Sequence, residues 1–116
     1  MQRIMLKSKI HRVRITGAEL YYEGSIAIDP LLLQAADILP GEKVEVLNLN
    51  NGSRIETYAI LGKKGSGEIC LNGPAARSGC RGDEIVIVAY ALVDESQAKK
   101  FKSRIVHVDN HNRLKT

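Results

Sequence analysis

Ile26-Ala27-Ile28-Asp29, followed by Gly41-Glu42-Lys43-Val44-Glu45-Val46, is answered later by Ile69-Cys70-Leu71-Asn72, followed by Gly82-Asp83-Glu84-Ile85-Val86-Ile87. Each half reads as a short apolar strand, an Asx residue capping a short helix, a Gly-acid pair and a second strand. Pro30 directly follows Asp29 and Pro74 closely follows Asn72, in the first helical turn where a missing N–H is tolerated. A repeat of this kind predicts a small barrel built on a pseudo-twofold axis. It does not by itself specify chemistry.

Outward from the repeat, the chain reads as mainly β with short helices. Residues 4–16 form the first strand candidate, with Lys9, His11, Val13 and Ile15 on one face by period two. A turn at Gly17-Ala18 leads to 20–24, and 25–28 is a short strand. The first helix covers about 30–36 and stops before Pro40-Gly41. Residues 43–49 and 54–61 read as two strands of a hairpin turning at Asn50-Asn51-Gly52. A basic, glycine-rich turn at 63–67 precedes a strand at 68–71. Asn72-Gly73-Pro74 opens a second short helix, and 84–93 is apolar on both faces, as a central strand is. Residues 94–102 read as a polar surface helix, 105–108 as the last strand, and the remainder as a frayed tail.

A chain of 116 residues has room for one core, so 1–116 is expected to be a single barrel domain. No apolar run is long enough to cross a bilayer and residues 1–8 lack a signal-peptide pattern, which points to the cytoplasm. Cys70 and Cys80 lie outside any C-x-x-C motif and read as reduced thiols buried as small apolar residues. The net charge of +4 is unevenly spread, with balances of +3 over 1–24, −4 over 25–96 and +5 over 97–116. The body is therefore acidic, and four Tyr and one Phe supply few stacking platforms, which argues against nucleic acid as a partner.

The common enzyme templates are absent: no G-x-S-x-G elbow, no P-loop, no dinucleotide fingerprint. His11, His107 and His111 lack metal-ligand spacing, so no metal is expected. What remains is Tyr22-Glu23-Gly24-Ser25, just before a strand. Read alone, Gly-Ser is a turn dipeptide. Chemically, however, the Ser25 hydroxyl can attack the Gly24 carbonyl through a five-membered ring and convert the peptide to an ester. Elimination from that ester leaves dehydroalanine, which hydrolyses to a pyruvoyl group at position 25. The attack needs a strained, exposed peptide, and glycine at 24 permits such dihedrals.

Five blocks carry a wider resemblance: Met5-Leu6-Lys7-Ser8-Lys9-Ile10-His11-Arg12, Tyr22-Glu23-Gly24-Ser25-Ile26-Ala27-Ile28-Asp29, Asn51-Gly52-Ser53-Arg54-Ile55-Glu56-Thr57-Tyr58-Ala59-Ile60, Asn72-Gly73-Pro74-Ala75-Ala76-Arg77 and Gly82-Asp83-Glu84-Ile85-Val86-Ile87. In order and spacing, over residues 1 to about 110, they resemble the bacterial aspartate 1-decarboxylase family of pyruvoyl enzymes. The resemblance implies a double-psi β-barrel and a homotetramer with sites between subunits. It implies self-cleavage at Gly24-Ser25 into chains 1–24 and 25–116, with a pyruvoyl cofactor derived from Ser25. The pyruvoyl carbonyl condenses with the substrate amine and takes up the electron pair released as carbon dioxide departs. L-aspartate is the implied substrate and β-alanine, for pantothenate biosynthesis, the product. A maturation factor is a candidate helper, and neither nucleic acid nor membrane is an expected partner.

On the same resemblance Ser25 and Tyr58 are catalytic, with Tyr58 the proton donor to the decarboxylated carbon. Lys9, Arg54, Thr57, Asn72, Gly73, Pro74 and Ala75 are the implied substrate-binding set. Arg54 suits a carboxylate fork and Lys9 a second positive charge, although Lys9 alone reads as ordinary surface charge. Arg54 and Tyr58, four apart on one strand, share a face, with Thr57 on the other. Either that strand is bulged or its two faces serve sites of different subunits. Asn72-Gly73-Pro74-Ala75 at a helix N-terminus favours an anion. The family usually has alanine where this chain has Pro74, which lacks an N–H, leaving Gly73 and Ala75 to supply amide contacts. It also often has an aromatic residue near Leu47. The competing reading is a non-enzymatic double-psi or swapped-hairpin barrel that binds DNA or protein and stays uncut. A third is a related pyruvoyl enzyme, since Arg54 favours an acidic substrate without selecting aspartate over glutamate or cysteine sulfinate.

Overall fold

The computed structural model describes residues 1–115. Its strands are β1 (Gln2–Arg14), β2 (Gly17–Glu19), β3 (Ser25–Ile28), β4 (Lys43–Asn48), β5 (Arg54–Leu61), β6 (Ile69–Asn72), β7 (Glu84–Asp94) and β8 (Arg104–His107). Helix α1 (Pro30–Ala36) joins β3 to β4, a 3-10 helix (Gly73–Arg77) follows β6, and α2 (Glu95–Ala98) follows β7. The chain is mainly β with short helices, as expected. The strands run β2-β6-β3-β5-β4-β7-β1-β8, with β7 internal and β2 and β8 at the ends.

The two halves seen in the sequence meet each other in the sheet. β3 pairs antiparallel with β6, from Ser25↔Asn72 to Ile28↔Ile69. β4 pairs antiparallel with β7, with Val46 opposite Ile87. Corresponding strands of a repeat pair in this way when a twofold axis relates the halves. Ile26, Ile28 and Val44 from one half, with Ile69, Leu71, Ile85 and Ile87 from the other, lie in one buried cluster.

Asp29 holds the first half together. It is 2% exposed, and its Oδ1 accepts from the backbone N–H of Leu31, the N-cap bond of α1, at 2.9 Å. The same carboxylate accepts from Gly65 N and Gly67 N, each at 2.9 Å, tying the glycine-rich turn to the helix start. Burial alone would raise this carboxyl, but the N–H groups of Gly65, Leu31 and Gly67 outweigh it, with help from the charge of Arg113. The carboxyl is therefore held below its usual range.

Several expectations are corrected. Lys9 and His11 do not share a face with Val13 and Ile15. Ser8 and Ile10 are buried, then Val13 and Ile15, because the register with β7 shifts between Ile10 and Val13. Arg12, at φ 59°, takes the left-handed conformation there, and a bulge of this kind turns the strand over. Gly17-Ala18 is no turn but the start of β2, paired parallel to β6. The second helix after β6 is a 3-10 segment of five residues, and the Asn72 side chain does not cap it. α2 spans four residues, since Ala98 is its buried residue and the lysines at 99, 100 and 102 offer no apolar stripe to continue it. The tail is not frayed: Asn112 is 2% exposed and donates to Arg14 O and Gly67 O, each at 2.8 Å.

Candidate active site

The chain passes from water into the core within a few residues of the Gly24-Ser25 bond. Tyr21 is 99% exposed, Tyr22 60% and Ser25 1%. All four residues of β3 are buried, so the strand anchors the carboxyl side of the bond while the amino side runs over the surface. The Ser25 hydroxyl donates to Glu23 O at 3.2 Å, back across Gly24. Its oxygen accepts from Asn72 Nδ2 at 3.1 Å.

Asn72 owes this position to the ladder that sets it opposite Ser25. Its Oδ1 accepts from Cys70 Sγ at 3.4 Å, which is why the amide is not free to cap the helix that follows. The reading of Cys70 as a reduced thiol buried as a small apolar residue missed this contact. The signal was present, because residues two apart on a strand share a face, and Cys70 precedes Asn72 by two.

Gly24 was expected to carry the unusual dihedrals. Among the described residues it is not one with positive φ, whereas Gly73 has φ +65°. A Cβ on Gly73 would lie 2.8 Å from both Gly24 Cα and Tyr22 O, and 2.9 Å from Gly24 N. Glycine at 73 thus lets the 3-10 segment press against the backbone of 22–24. Pro74 flanks the same bond, with its Cδ 3.4 Å from where a Gly24 Cβ would stand.

Beside Gly24 opens a cavity of about 410 Å³, lined in part by Thr57, Tyr58, Pro74 and Ala75. The β4–β5 ladder runs from Lys43↔Tyr58 to Leu47↔Arg54 without a shift, so no bulge brings Thr57 and Tyr58 together. They meet there because the β3–β5 ladder begins only at Ile26↔Ala59. Below that pair the edge of β5 is uncovered, and an inward residue and its outward neighbour both border the opening. Tyr58 is 40% exposed.

Arg54 and Lys9 do not line this cavity. Arg54 is exposed on the outer face of β5 and its guanidinium lies 3.3 Å from Glu45 Oε1. Lys9 is half-buried on β1, where it sits opposite Val88 of β7 and Ile105 of β8. Within one chain, therefore, Ser25, Thr57, Tyr58, Asn72, Gly73, Pro74 and Ala75 cluster about the Gly24-Ser25 bond, and the two cations do not. Cys70 and Cys80 are both free, but only Cys70 is buried as expected; Cys80 is exposed, in the turn where its backbone N–H donates to Asp83 Oδ2 at 3.0 Å. Among the described residues no helix is long and apolar enough to cross a membrane.

The family model for aspartate decarboxylase matches residues 1–115. This chain belongs to the aspartate decarboxylase family. It is 56% identical over 113 residues to the aspartate 1-decarboxylase of Thermoanaerobacter pseudethanolicus, covering 97% of each chain. It is likewise 56% identical over 115 residues to that of Syntrophus aciditrophicus, covering 99% of each. The aspartate 1-decarboxylase of Salinibacter ruber is 56% identical over 108 residues, which are 93% of this chain and 74% of the relative. The fold is accordingly the double-psi β-barrel of the aspartate decarboxylase family, here with the sheet open between its edge strands β2 and β8, which pair with β6 and β1 but not with each other.

Proposed function

We propose that this chain is a pyruvoyl-dependent lyase that converts L-aspartate to β-alanine and carbon dioxide. It becomes active by cutting its own backbone between Gly24 and Ser25, giving chains 1–24 and 25–116. The observation that carries this reading is the family match over residues 1–115 joined to the burial and hydrogen bonding of Ser25 at the edge of a cavity. The alternative, an uncut barrel that binds DNA or protein, draws no support from the relatives.

The residues present fit the cofactor. Asn72 Nδ2 already faces the Ser25 oxygen at 3.1 Å, and an N–H donor there suits a carbonyl oxygen as well as a hydroxyl. A pyruvoyl group at position 25 supplies an electron sink for the pair released when the α-carboxylate departs. The chain's own residues do the rest. Thr57, Pro74 and Ala75 wall the cavity beside Gly24, and close contact orients a small substrate. Tyr58, at the cavity rim, delivers a proton from its Oη to the carbon that has lost its carboxylate. Gly73 and Ala75 are the amides left to bind substrate, because Pro74 has no N–H.

Arg54 and Lys9 neutralise the substrate carboxylates, and we assign them to the site of an adjoining copy in a homotetramer. Their absence from the cavity lining beside Gly24 supports this. So does the exposure of Ile4 at 72% and Leu92 at 66% on adjoining strands β1 and β7, an apolar pair suited to burial between copies. The free thiols of Cys70 and Cys80 fit the cytoplasm.

Intact-mass measurement on the purified protein tests the proposal. Incubation should yield a fragment of residues 1–24 and a second fragment lacking a free amino terminus, and the cut protein should form β-alanine from L-aspartate. Cleavage of purified protein would also make a maturation factor unnecessary. Glutamate and cysteine sulfinate, offered in parallel, report specificity. A protein that stays whole, indistinguishable from Ser25→Ala, would overturn the reading.

A further inference from the structure

We propose that the Cys70 thiol is a positioning residue for cleavage at Gly24-Ser25, acting through Asn72. This rests on the reading of Ser25 as the group that cuts the chain, and deepens it. Three hydrogen bonds run in one direction: Cys70 Sγ to Asn72 Oδ1 at 3.4 Å, Asn72 Nδ2 to Ser25 Oγ at 3.1 Å, and Ser25 Oγ to Glu23 O at 3.2 Å. Cys70 and Asn72 lie on one face of β6, opposite Ala27 and Ser25 of β3.

A side-chain amide has a donor end and an acceptor end of nearly the same shape, so its neighbours decide which way it points. At Asn72 the neighbours are a thiol and a hydroxyl. With S–H donating to Oδ1, the NH2 end must face Ser25. In the flipped amide, NH2 would meet the S–H donor, and Oδ1 would draw the Ser25 proton away from Glu23 O. Burial, followed by the negative charges of Glu68 and Glu19, holds the Cys70 thiol above its usual value. It therefore remains an S–H donor at neutral pH.

The amide orientation matters to the first chemical step. In the acyl shift the Gly24 C to Ser25 N bond breaks, a bond from Gly24 C to Ser25 Oγ forms, and the hydroxyl proton ends on the Ser25 nitrogen. No other reactant enters. The nucleophile is the Ser25 oxygen, and Asn72 Nδ2 binds one of its lone pairs while leaving the other for the carbonyl carbon. Holding that oxygen over Gly24 is a matter of position, to which such steps are sensitive. Cys70 thus locks the group that locks the nucleophile, without touching the reacting atoms.

The test compares cleavage of wild type with Cys70→Ala, Cys70→Val and Cys70→Ser, each purified whole and followed by intact mass. Melting temperatures are measured on the same substitutions combined with Ser25→Ala, which prevents cutting from confusing the comparison. Loss of one neutral hydrogen bond predicts cleavage slower by about 3–10-fold in the Ala and Val variants. Cys70→Ser restores a donor and should cleave within about twofold of wild type. Val fills the space of the thiol, so slowing in Val that serine reverses separates donation from packing. Wild-type rates in Ala and Val would overturn the proposal, and so would a Ser variant slowed as much as Val. Either result leaves cleavage by Ser25 standing. A wild-type chain that never cuts would overturn both.

Discussion

Gly73 packs directly on Gly24: a Cβ at 73 would stand 2.8 Å from the Gly24 Cα. The contact brings the segment after β6 against the bond that β3 anchors, and it depends on two separate properties of glycine. One is the missing side chain. The other is φ +65°, which in any other residue costs about 1–2 kcal/mol. Gly73→Ala should therefore both destabilise the protein and displace residues 22–24. A displacement of even an ångström predicts cleavage slower by roughly 100-fold. A time course of intact mass reads this directly, and a Gly73→Ala chain cutting at the wild-type rate would refute it.

Pro74 gives a second, opposite expectation. Its ring borders Gly24 and the cavity, and it withholds an N–H that alanine would supply. Pro74→Ala should lower KM for aspartate by about 2–10-fold, the worth of one added hydrogen bond. The same change loosens the unfolded chain and should cost about 0.4–1 kcal/mol of stability. Steady-state kinetics and a melting curve on the cut enzyme test both halves. An unchanged KM would mean that position 74 offers no amide to the substrate.

The fold and the site were legible in the sequence to different depths. The bounds of α1 and β5 followed from local signals, the Asp29-Pro30 cap and the Asn-Gly hairpin. The reversal of β1 at Arg12 did not, because an arginine in a left-handed conformation leaves no mark in composition. Asp29 and Asn72 occupy equivalent places in the repeat, yet only Asp29 caps. Its neighbours are backbone N–H groups, while those of Asn72 are the side chains of Ser25 and Cys70. The apparent conflict between Thr57 and Tyr58 arose from treating β5 as covered along its whole length. Its resolution lies in where β3 begins to pair, a long-range register that spacing within β5 cannot carry.

Asp29 makes stability depend on pH in a predictable direction. Its carboxyl is held below its ordinary value in the folded state, so the unfolded chain binds the proton more readily. The stabilisation is fully present above the unfolded value, about pH 4, and is lost as pH falls through the lower folded value. Asp29→Asn removes the charge and leaves the Gly65, Leu31 and Gly67 N–H groups to share one oxygen. It should cost about 2–3 kcal/mol at neutral pH, with the gap to wild type narrowing steadily below pH 4. Denaturant titrations at several pH values, on a Ser25→Ala background, check this. A gap that stays constant with pH would assign Asp29 a role in packing alone.

The separation of Arg54 and Lys9 from the Ser25 cavity makes the subunit arrangement testable without a structure of the assembly. If each site joins Ser25 of one copy to Arg54 of another, two inactive chains can repair each other. Ser25→Ala keeps Arg54 but never gains the cofactor. Arg54→Ala keeps Ser25, and intact mass establishes that it still cuts. Co-expressed in equal amounts, they should assemble mixed tetramers in which about one quarter of sites draw Ser25 and Arg54 from different intact sources. β-Alanine formation should then rise to about one quarter of wild type, well above either parent alone. The same result is expected when Lys9→Ala replaces Arg54→Ala. Sites built within one chain would leave every mixed assembly inactive, because each chain lacks one of the two groups. A mixture no more active than its parents would therefore place Arg54 and Lys9 in the site of the chain that carries Ser25, and would overturn their assignment to an adjoining copy.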